Sequence, residues 1–169
     1  MSDDAVQRGR DARTWVERIG ARVPGFEGYL ERELRREVDQ MLRAQLAARL
    51  DGARGRLGEY LRRLPLSATA EIGRLAALDA GLDAAANRLR HAGSGYAGLF
   101  DAVKVREAEL ERLYRHDLAM VEAVDALGAA VARLPGEGGA AVAAVEAGLA
   151  AVRAQIDGRD AVVKSAFAG

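Results

Sequence analysis

The fold is decided by residues 26–64, which read FEGYLERELRREVDQMLRAQLAARLDGARGRLGEYLRRL. Apolar side chains recur in this stretch at steps of three and four residues, which is the spacing of one face of an α-helix. Such a helix would extend for about 55 to 60 Å, which suits a rod-like bundle better than a compact globule. Gly52, Gly55 and Gly58 each cost about 1 kcal/mol relative to alanine inside a helix, so a kink or break there stays open.

The same spacing predicts four further helices, over residues 1–23, 67–92, 107–134 and 140–167. Pro24 with Gly25, and Pro65, separate the first three segments, because proline restricts the residue before it and glycine accepts a left-handed turn. Residues 135–139 separate the last two segments. The final segment opens with the 3-4-3-4 steps of a heptad seam, at Val142, Val145, Leu149, Val152 and Ile156.

These segments predict an all-α protein, because none of them alternates polar and apolar residues as a strand does. We expect a single domain over residues 1–169, built as an elongated antiparallel bundle of four to five long amphipathic helices with coiled-coil-like packing. Large core residues are few, with three phenylalanines and one tryptophan in the chain. Alanine and leucine must therefore fill a narrow core, which requires helices that approach closely.

Composition excludes several functional classes. Lysine plus arginine equals aspartate plus glutamate at 25 each, so no overall field draws the chain to nucleic acid. The absence of cysteine removes disulfides and thiolate chemistry, and suits a reducing cytoplasm. The first residues carry acids, and no stretch reaches about 18 uncharged apolar residues, so we expect neither a signal peptide nor a membrane span.

A nucleotide-binding fingerprint is spelled by GSGYAG, residues 93–98, with Asp117 at the distance of its ribose-binding acid. The fingerprint works only between a strand and a helix, and the preceding segment is helical, so an interhelical connection is favoured. Tyr96, Phe100 and Asp101 in this connection either close the end of the bundle or contact a partner or small ligand.

A charged stripe runs along the second helix through Arg32, Arg36, Asp39 and Arg43. Asp39 and Arg43 form a favourable i, i+4 pair, so the stripe is interpreted mainly as a solvated, self-paired surface. The functional alternative is a docking surface for an acidic partner or a phosphate. Several acids in the same stretch argue against nucleic acid.

Catalytic and metal-binding constellations are not predicted. His91 and His116 both lack a glutamate three residues before them, as a di-metal helical site would need, and a zinc site would require scattered carboxylates. Ser94 lies three residues from His91 but without an evident orienting acid. We therefore expect no enzyme activity, no cofactor, no bound metal and no catalytic residue.

The first helix carries Trp15 on an apolar face opposite several arginines, a mixture that interfacial helices use. Interleaved acids dilute this charge, and packing on the bundle is favoured over a membrane surface. The leading hypothesis is a cytoplasmic interaction or scaffold protein that binds an unknown protein partner or a second copy of itself; peripheral membrane binding through the first helix is the alternative. The predicted interaction surface comprises Trp15, Tyr29, Arg32, Arg36, Arg43, Tyr96, Phe100 and Asp101.

Overall fold

The computed structural model describes residues 13–29, 31, 34–92 and 107–167. These residues form four long helices and the described part of one more, residues 13–20, and none of them lies in a strand. The helices are α1 (13–20), α2 (Arg35–Leu61), α3 (Thr69–His91), α4 (Glu107–Glu137) and α5 (Gly139–Phe167). Because the long helices pack side by side, the predicted all-α bundle is confirmed.

Helices α2 and α4 are neighbours that run in the same direction. Helix α2 packs against both α3 and α4, and α5 packs against the same two helices. Arg49 of α2 pairs with Asp125 of α4, and further along both helices Tyr60 lies beside Gly138, just past the end of α4. The residue numbers rise together along the two helices, which makes this pair parallel.

Helices α3 and α5 are also a parallel pair. Arg74 of α3 bonds to Glu146 of α5, and further along both helices Arg88 bonds to Asp157. The four long helices therefore stand at the corners of a square in the order α2, α3, α5, α4. Each is antiparallel to the next in sequence, and residues 93–106 join α3 to α4 between opposite corners.

The core of the bundle is narrow, as the composition predicts. Small side chains such as Ala47 and Ala86 are fully buried among leucines and valines. Two glycines bring helices especially close: a Cβ at Gly148 would lie 3.3 Å from the Cα of Leu127, and one at Gly81 would lie 2.6 Å from a methyl of Leu149. Close backbone approach therefore replaces bulky side chains in filling the interior.

The start of the second helix differs from the prediction. We predicted a helix over residues 26–64, whereas α2 begins at Arg35 and ends at Leu61. Gly25 and Gly28 have φ of 83° and 87°, values that interrupt a right-handed helix. Pro65 contributes to the early end, because it has no N–H to donate to the carbonyl oxygen of Leu61.

Three glycines of α2, Gly52, Gly55 and Gly58, raised the possibility of a kink or break, but the helix continues through all of them. Gly52 and Gly55 lie within a continuous helix, and a Cβ at either would meet no atom within 4 Å. Helix α4 passes through Pro135, which was predicted to end it, and stops at Glu137. Gly138, with φ of 53°, reverses the chain there.

Helix α5 is apolar enough over Gly139–Ser165 to cross a membrane, judged by length and composition alone. Its valines and leucines form a stripe that is buried against α4 and α3, including Val142, Val145 and Leu149. A core helix of a bundle passes the same test of length and composition, so this finding is weak evidence for a membrane span.

Candidate functional site

Residues 21–29 follow α1 and lie along the surface of α2. We call this segment the strap. Three of its backbone carbonyl oxygens accept hydrogen bonds from α2 side chains, two of them at 2.8 and 2.7 Å. The donors and acceptors are Arg35 to Tyr29, Gln45 to Pro24, and Arg49 to Arg22. The strap therefore runs antiparallel to α2 and is held by it at three points.

Tyr29 fixes the end of the strap inside the bundle. Its ring is fully buried and stacks on Tyr114 of α4 with centroids 5.7 Å apart, and the ring of Phe26 packs edge-on against it at 5.6 Å. The backbone N–H of Tyr29 donates to the hydroxyl of Tyr114 at 2.8 Å. Its own hydroxyl donates to Oδ2 of Asp117, also at 2.8 Å. This backbone N–H is therefore bonded to a side chain and not to a helical carbonyl oxygen.

Asp117 belongs to a group of buried charged and polar side chains that contact one another. We call this group the buried ion network, and its members are Tyr29, Asp39, Arg43, Asp117 and Arg159. Nε of Arg159 lies 3.2 Å from Oδ1 of Asp117, and Nη2 of Arg159 lies 2.7 Å from Oδ1 of Asp39. The second contact is an ion pair without the alignment of a hydrogen bond. Arg43 binds the other oxygen of Asp39 at 2.8 Å.

The buried ion network touches every long helix and the strap. Arg43 also donates to the carbonyl oxygen of Leu89 at 2.9 Å, near the C-terminal end of α3. Through Arg159, α5 reaches Asp39 on α2, the helix at the opposite corner of the square. All the side chains of the network are at most 5% exposed. The network therefore ties one end of the bundle together.

Burial and neighbouring charges shift the pKa values of Asp117, Tyr29 and Arg159. Burial raises the pKa of Asp117 above its ordinary value, although Arg159 and the Tyr29 hydroxyl oppose this rise. Burial, reinforced by Asp117, raises the pKa of Tyr29 well above 10.0, so its hydroxyl stays protonated and donates. Burial alone would lower the pKa of Arg159, but Asp117 and Asp39 outweigh it and raise that pKa.

The chemistry available to the network is structural. A protonated phenol, a permanently charged guanidinium and carboxylates that already hold partners position helices, but they offer no exposed base or nucleophile. Among the residues that the structure describes, no three or more histidine, aspartate or glutamate side chains cluster closely enough to hold a metal ion.

Two residues of the predicted interaction surface are corrected by this geometry. Tyr29 is 0% exposed and Arg43 is 5% exposed, so neither side chain reaches a surface. The pairing of Arg43 with Asp39 is as predicted, but the pair lies in the interior. Both residues point inward because the strap and α3 cover this part of α2.

The other predicted surface residues divide into those on the outside and those not described. Arg36 is exposed on α2, and Trp15 is half-buried on α1. Guanidinium groups lie over the Trp15 ring at 4.8 Å for Arg18 and 5.8 Å for Arg115 of α4. The remaining members lie outside the described residues: Arg32, Tyr96, Phe100 and Asp101.

Sequence reasoning missed Arg159 and considered Asp117 only as part of a nucleotide fingerprint. A signal was available, because Arg159 continues the steps of the buried stripe through Ile156 and Val163. A charged residue at an apolar position of a helix predicts a buried partner of opposite charge.

A shallow groove lies between the strap and the first turns of α2, and we call it the acidic groove. Its volume is about 290 Å³, and it is lined by Gly25, Glu27, Leu34, Glu37, Val38 and Met41. Val38 is buried, and Leu34 and Met41 are half-buried, so the floor is apolar. Glu27 and Glu37 are exposed at the rim.

The rim carboxylates differ from most others on the outside of the bundle. Among the described residues, neither Glu27 nor Glu37 has an ion pair or hydrogen bond through its side chain. Elsewhere, exposed or half-exposed acids bridge neighbouring helices through arginine. These bridges include Asp51 with Arg90, Asp79 and Asp83 with Arg54, Asp125 with Arg49, Glu146 with Arg74, and Asp157 with Arg88.

None of the family models, characterised proteins and solved structures compared with the chain matches it.

Proposed function

We propose that this chain is a non-enzymatic interaction protein that acts in the cytoplasm by binding other protein chains, a second copy of itself included. The acidic groove is the observation that carries the proposal. It combines an apolar floor, of which Met41 is an adaptable part, with rim charges that no described residue neutralises. A partner segment with an apolar side chain and a flanking cation would complete both features.

The proposal assigns no reaction to the chain. Its support is that the titratable side chains brought together inside the bundle, Tyr29, Asp117 and Arg159 among them, are engaged with one another. Groups that already hold buried partners stabilise the fold, and a reaction centre would need one of them to face a substrate.

The membrane alternative would use the apolar face of α1. Ile19 on that face and Val23 just after the helix are fully buried against the bundle, and two guanidinium groups lie over the ring of Trp15. Lipid binding would require these residues to leave the core, whereas binding through the acidic groove requires no rearrangement. This contrast favours protein contacts over a lipid surface.

Photo-crosslinking through methionine tests the proposal. The chain contains three methionines, of which Met41 lines the groove and Met120 is fully buried. When photoactivatable methionine is incorporated in the cells that make the protein, we expect discrete adducts with protein chains. Peptide mass spectrometry assigns each adduct to Met1, Met41 or Met120, and we expect protein adducts at Met41 and none at the buried Met120. A matched Met41→Leu variant should lose the partners that are captured at Met41. A natural chain without protein adducts at Met41 would contradict the proposal.

A further inference from the structure

The connection between α2 and α3 has a composition complementary to that of the acidic groove. Residues 61–66, LRRLPL, are called the basic loop. Leu66 is 91% exposed and is the large hydrophobic residue that stands fully in solvent among those described. Arg62 and Arg63 are exposed, and their side chains form no ion pair with any described residue. The loop therefore presents one exposed leucine and, shortly before it in the chain, two arginines that form no ion pair with any described residue.

The basic loop cannot reach the acidic groove of its own molecule. Val38 on the groove floor and Leu61 at the start of the loop lie near opposite ends of the continuous helix α2. At 1.5 Å per residue, roughly 35 Å of rigid helix separates them. A contact between loop and groove must therefore join two molecules.

We propose that copies of this chain associate head to tail, with the basic loop of one copy in the acidic groove of the next. This inference rests on the proposed function and names the partner of the same groove. Leu66 lies on the floor formed by Leu34, Val38 and Met41. Arg62 and Arg63 face the carboxylates of Glu27 and Glu37.

Size and charge both fit this occupant. The groove, at about 290 Å³, is at the small end of the range for binding pockets, which suits a side chain with its neighbours better than a large ligand. The two carboxylates at the rim equal the two arginines of the loop in number and are opposite to them in charge. An exposed leucine beside free charges is the composition of a small interface core with a polar rim.

The symmetry of this contact has a consequence. Loop and groove are different surfaces, so a head-to-tail contact that is not reciprocated is heterologous, and each pair of copies keeps one loop and one groove free. Such a contact gives a closed ring or an open chain of copies, whereas a twofold dimer would seat both loops in both grooves at once.

Two variants that each destroy one half of the contact test the inference. The groove variant is Glu27→Lys with Glu37→Lys, and the loop variant is Arg62→Ser and Arg63→Ser with Leu66→Ser. Light scattering after size-exclusion chromatography should show that the mass of the natural chain rises with concentration. Each variant should associate at least about tenfold more weakly. Arg153→Glu, a charge reversal at an exposed position of α5, serves as the control and should leave association unchanged.

Mixing the two variants gives the decisive result. The groove variant keeps an intact loop and the loop variant keeps an intact groove, so an equimolar mixture should form a dimer that grows no further. A natural chain that stays monomeric at every concentration, variants that associate like the natural chain, or a mixture without dimer would each overturn the inference. Adducts at Met41 with chains other than this one would still support the proposed function. Circular dichroism of each variant verifies that it is folded.

Discussion

At the scale of single residues, Arg159 carries the most consequence, because one guanidinium holds carboxylates from two different helices. Replacing it by methionine, Arg159→Met, keeps the length of the side chain but leaves Asp117 and Asp39 without that charge. Removing one partner of a buried ion pair costs about 3 to 5 kcal/mol. Chemical denaturation should show a loss of this size in the free energy of unfolding, and a loss below about 1 kcal/mol would contradict the network.

The cost of Arg159→Met should depend on pH. Burial already raises the pKa of Asp117 above that of an ordinary aspartate. At a pH above this folded-state pKa, the buried carboxylate lowers the free energy of unfolding. The loss becomes smaller as the pH falls from the folded-state pKa to the ordinary aspartate pKa. Without Arg159 this pKa rises further. The variant should therefore lose less stability, relative to the natural chain, at about pH 5 than at about pH 7. Denaturation curves for both proteins at the two pH values give this difference, and an equal loss at both would contradict it.

Tyr29 contributes both a ring and a hydroxyl, and the two can be separated. Tyr29→Phe keeps the stacking on Tyr114 and removes the hydrogen bond to Asp117. Because an acceptor buried with this hydroxyl loses its partner, we expect a loss of about 1 to 3 kcal/mol in the free energy of unfolding. Tyr60→Phe is the matched control: its hydroxyl bonds to Glu71 at a partly exposed position, so its loss should be smaller. Equal losses in the two variants would contradict the role of burial.

Part of this network could be predicted from sequence. The pairing of Asp39 with Arg43 follows from i, i+4 spacing, and the structure confirms it. Its burial could not follow from that spacing, because exposure depends on the strap and α3, which pack over the pair from distant parts of the chain. Asp117 and Arg159 are 42 positions apart, a separation that no local pattern connects.

At the scale of elements, α2 contains glycines at positions where the packing leaves room for a larger side chain. A Cβ at Gly52 or Gly55 meets nothing within 4 Å, so alanine fits and restricts the unfolded chain. Gly52→Ala and Gly55→Ala should each stabilise the fold by about 0.5 to 1 kcal/mol. Gly148→Ala should destabilise it by about 1 to 3 kcal/mol, because its Cβ presses on the backbone of Leu127. Thermal unfolding measures all three, and the same sign for all would contradict this assignment.

Helix boundaries show where local spacing suffices and where it does not. The third and fifth helices begin and end within two residues of their predicted limits, since each carries one regular apolar stripe. Residues 26–34 were predicted as helix because Phe26 and Leu34 continue the apolar spacing of α2 backward. Phe26 is buried without being helical, because it packs on Tyr114 from a non-helical segment that has glycines of positive φ at positions 25 and 28.

At the scale of the whole molecule, the order of helices around the bundle could not be predicted from spacing. Similar stripes of leucine, valine and alanine fit many neighbours, so the apolar pattern does not choose among them. Specific contacts accompany the observed order: parallel ion-pair ladders join α3 to α5, and the buried ion network joins all four corners. Polar contacts of this kind fix register in helical assemblies at some cost in stability.

The same distribution of charge predicts how head-to-tail association responds to salt. Exposed ion pairs contribute about 0.2 to 1 kcal/mol each, and two of them at the interface correspond to a change of roughly tenfold in affinity. Raising sodium chloride from about 0.05 M to about 0.5 M shortens the screening length from roughly 14 Å to roughly 4 Å, so association should weaken by up to that factor. The fold should be less affected, because Arg159 and its carboxylates are shielded from solvent. Light scattering across this range measures the change, and association that strengthens with salt would show that Leu66 binds without help from the arginines.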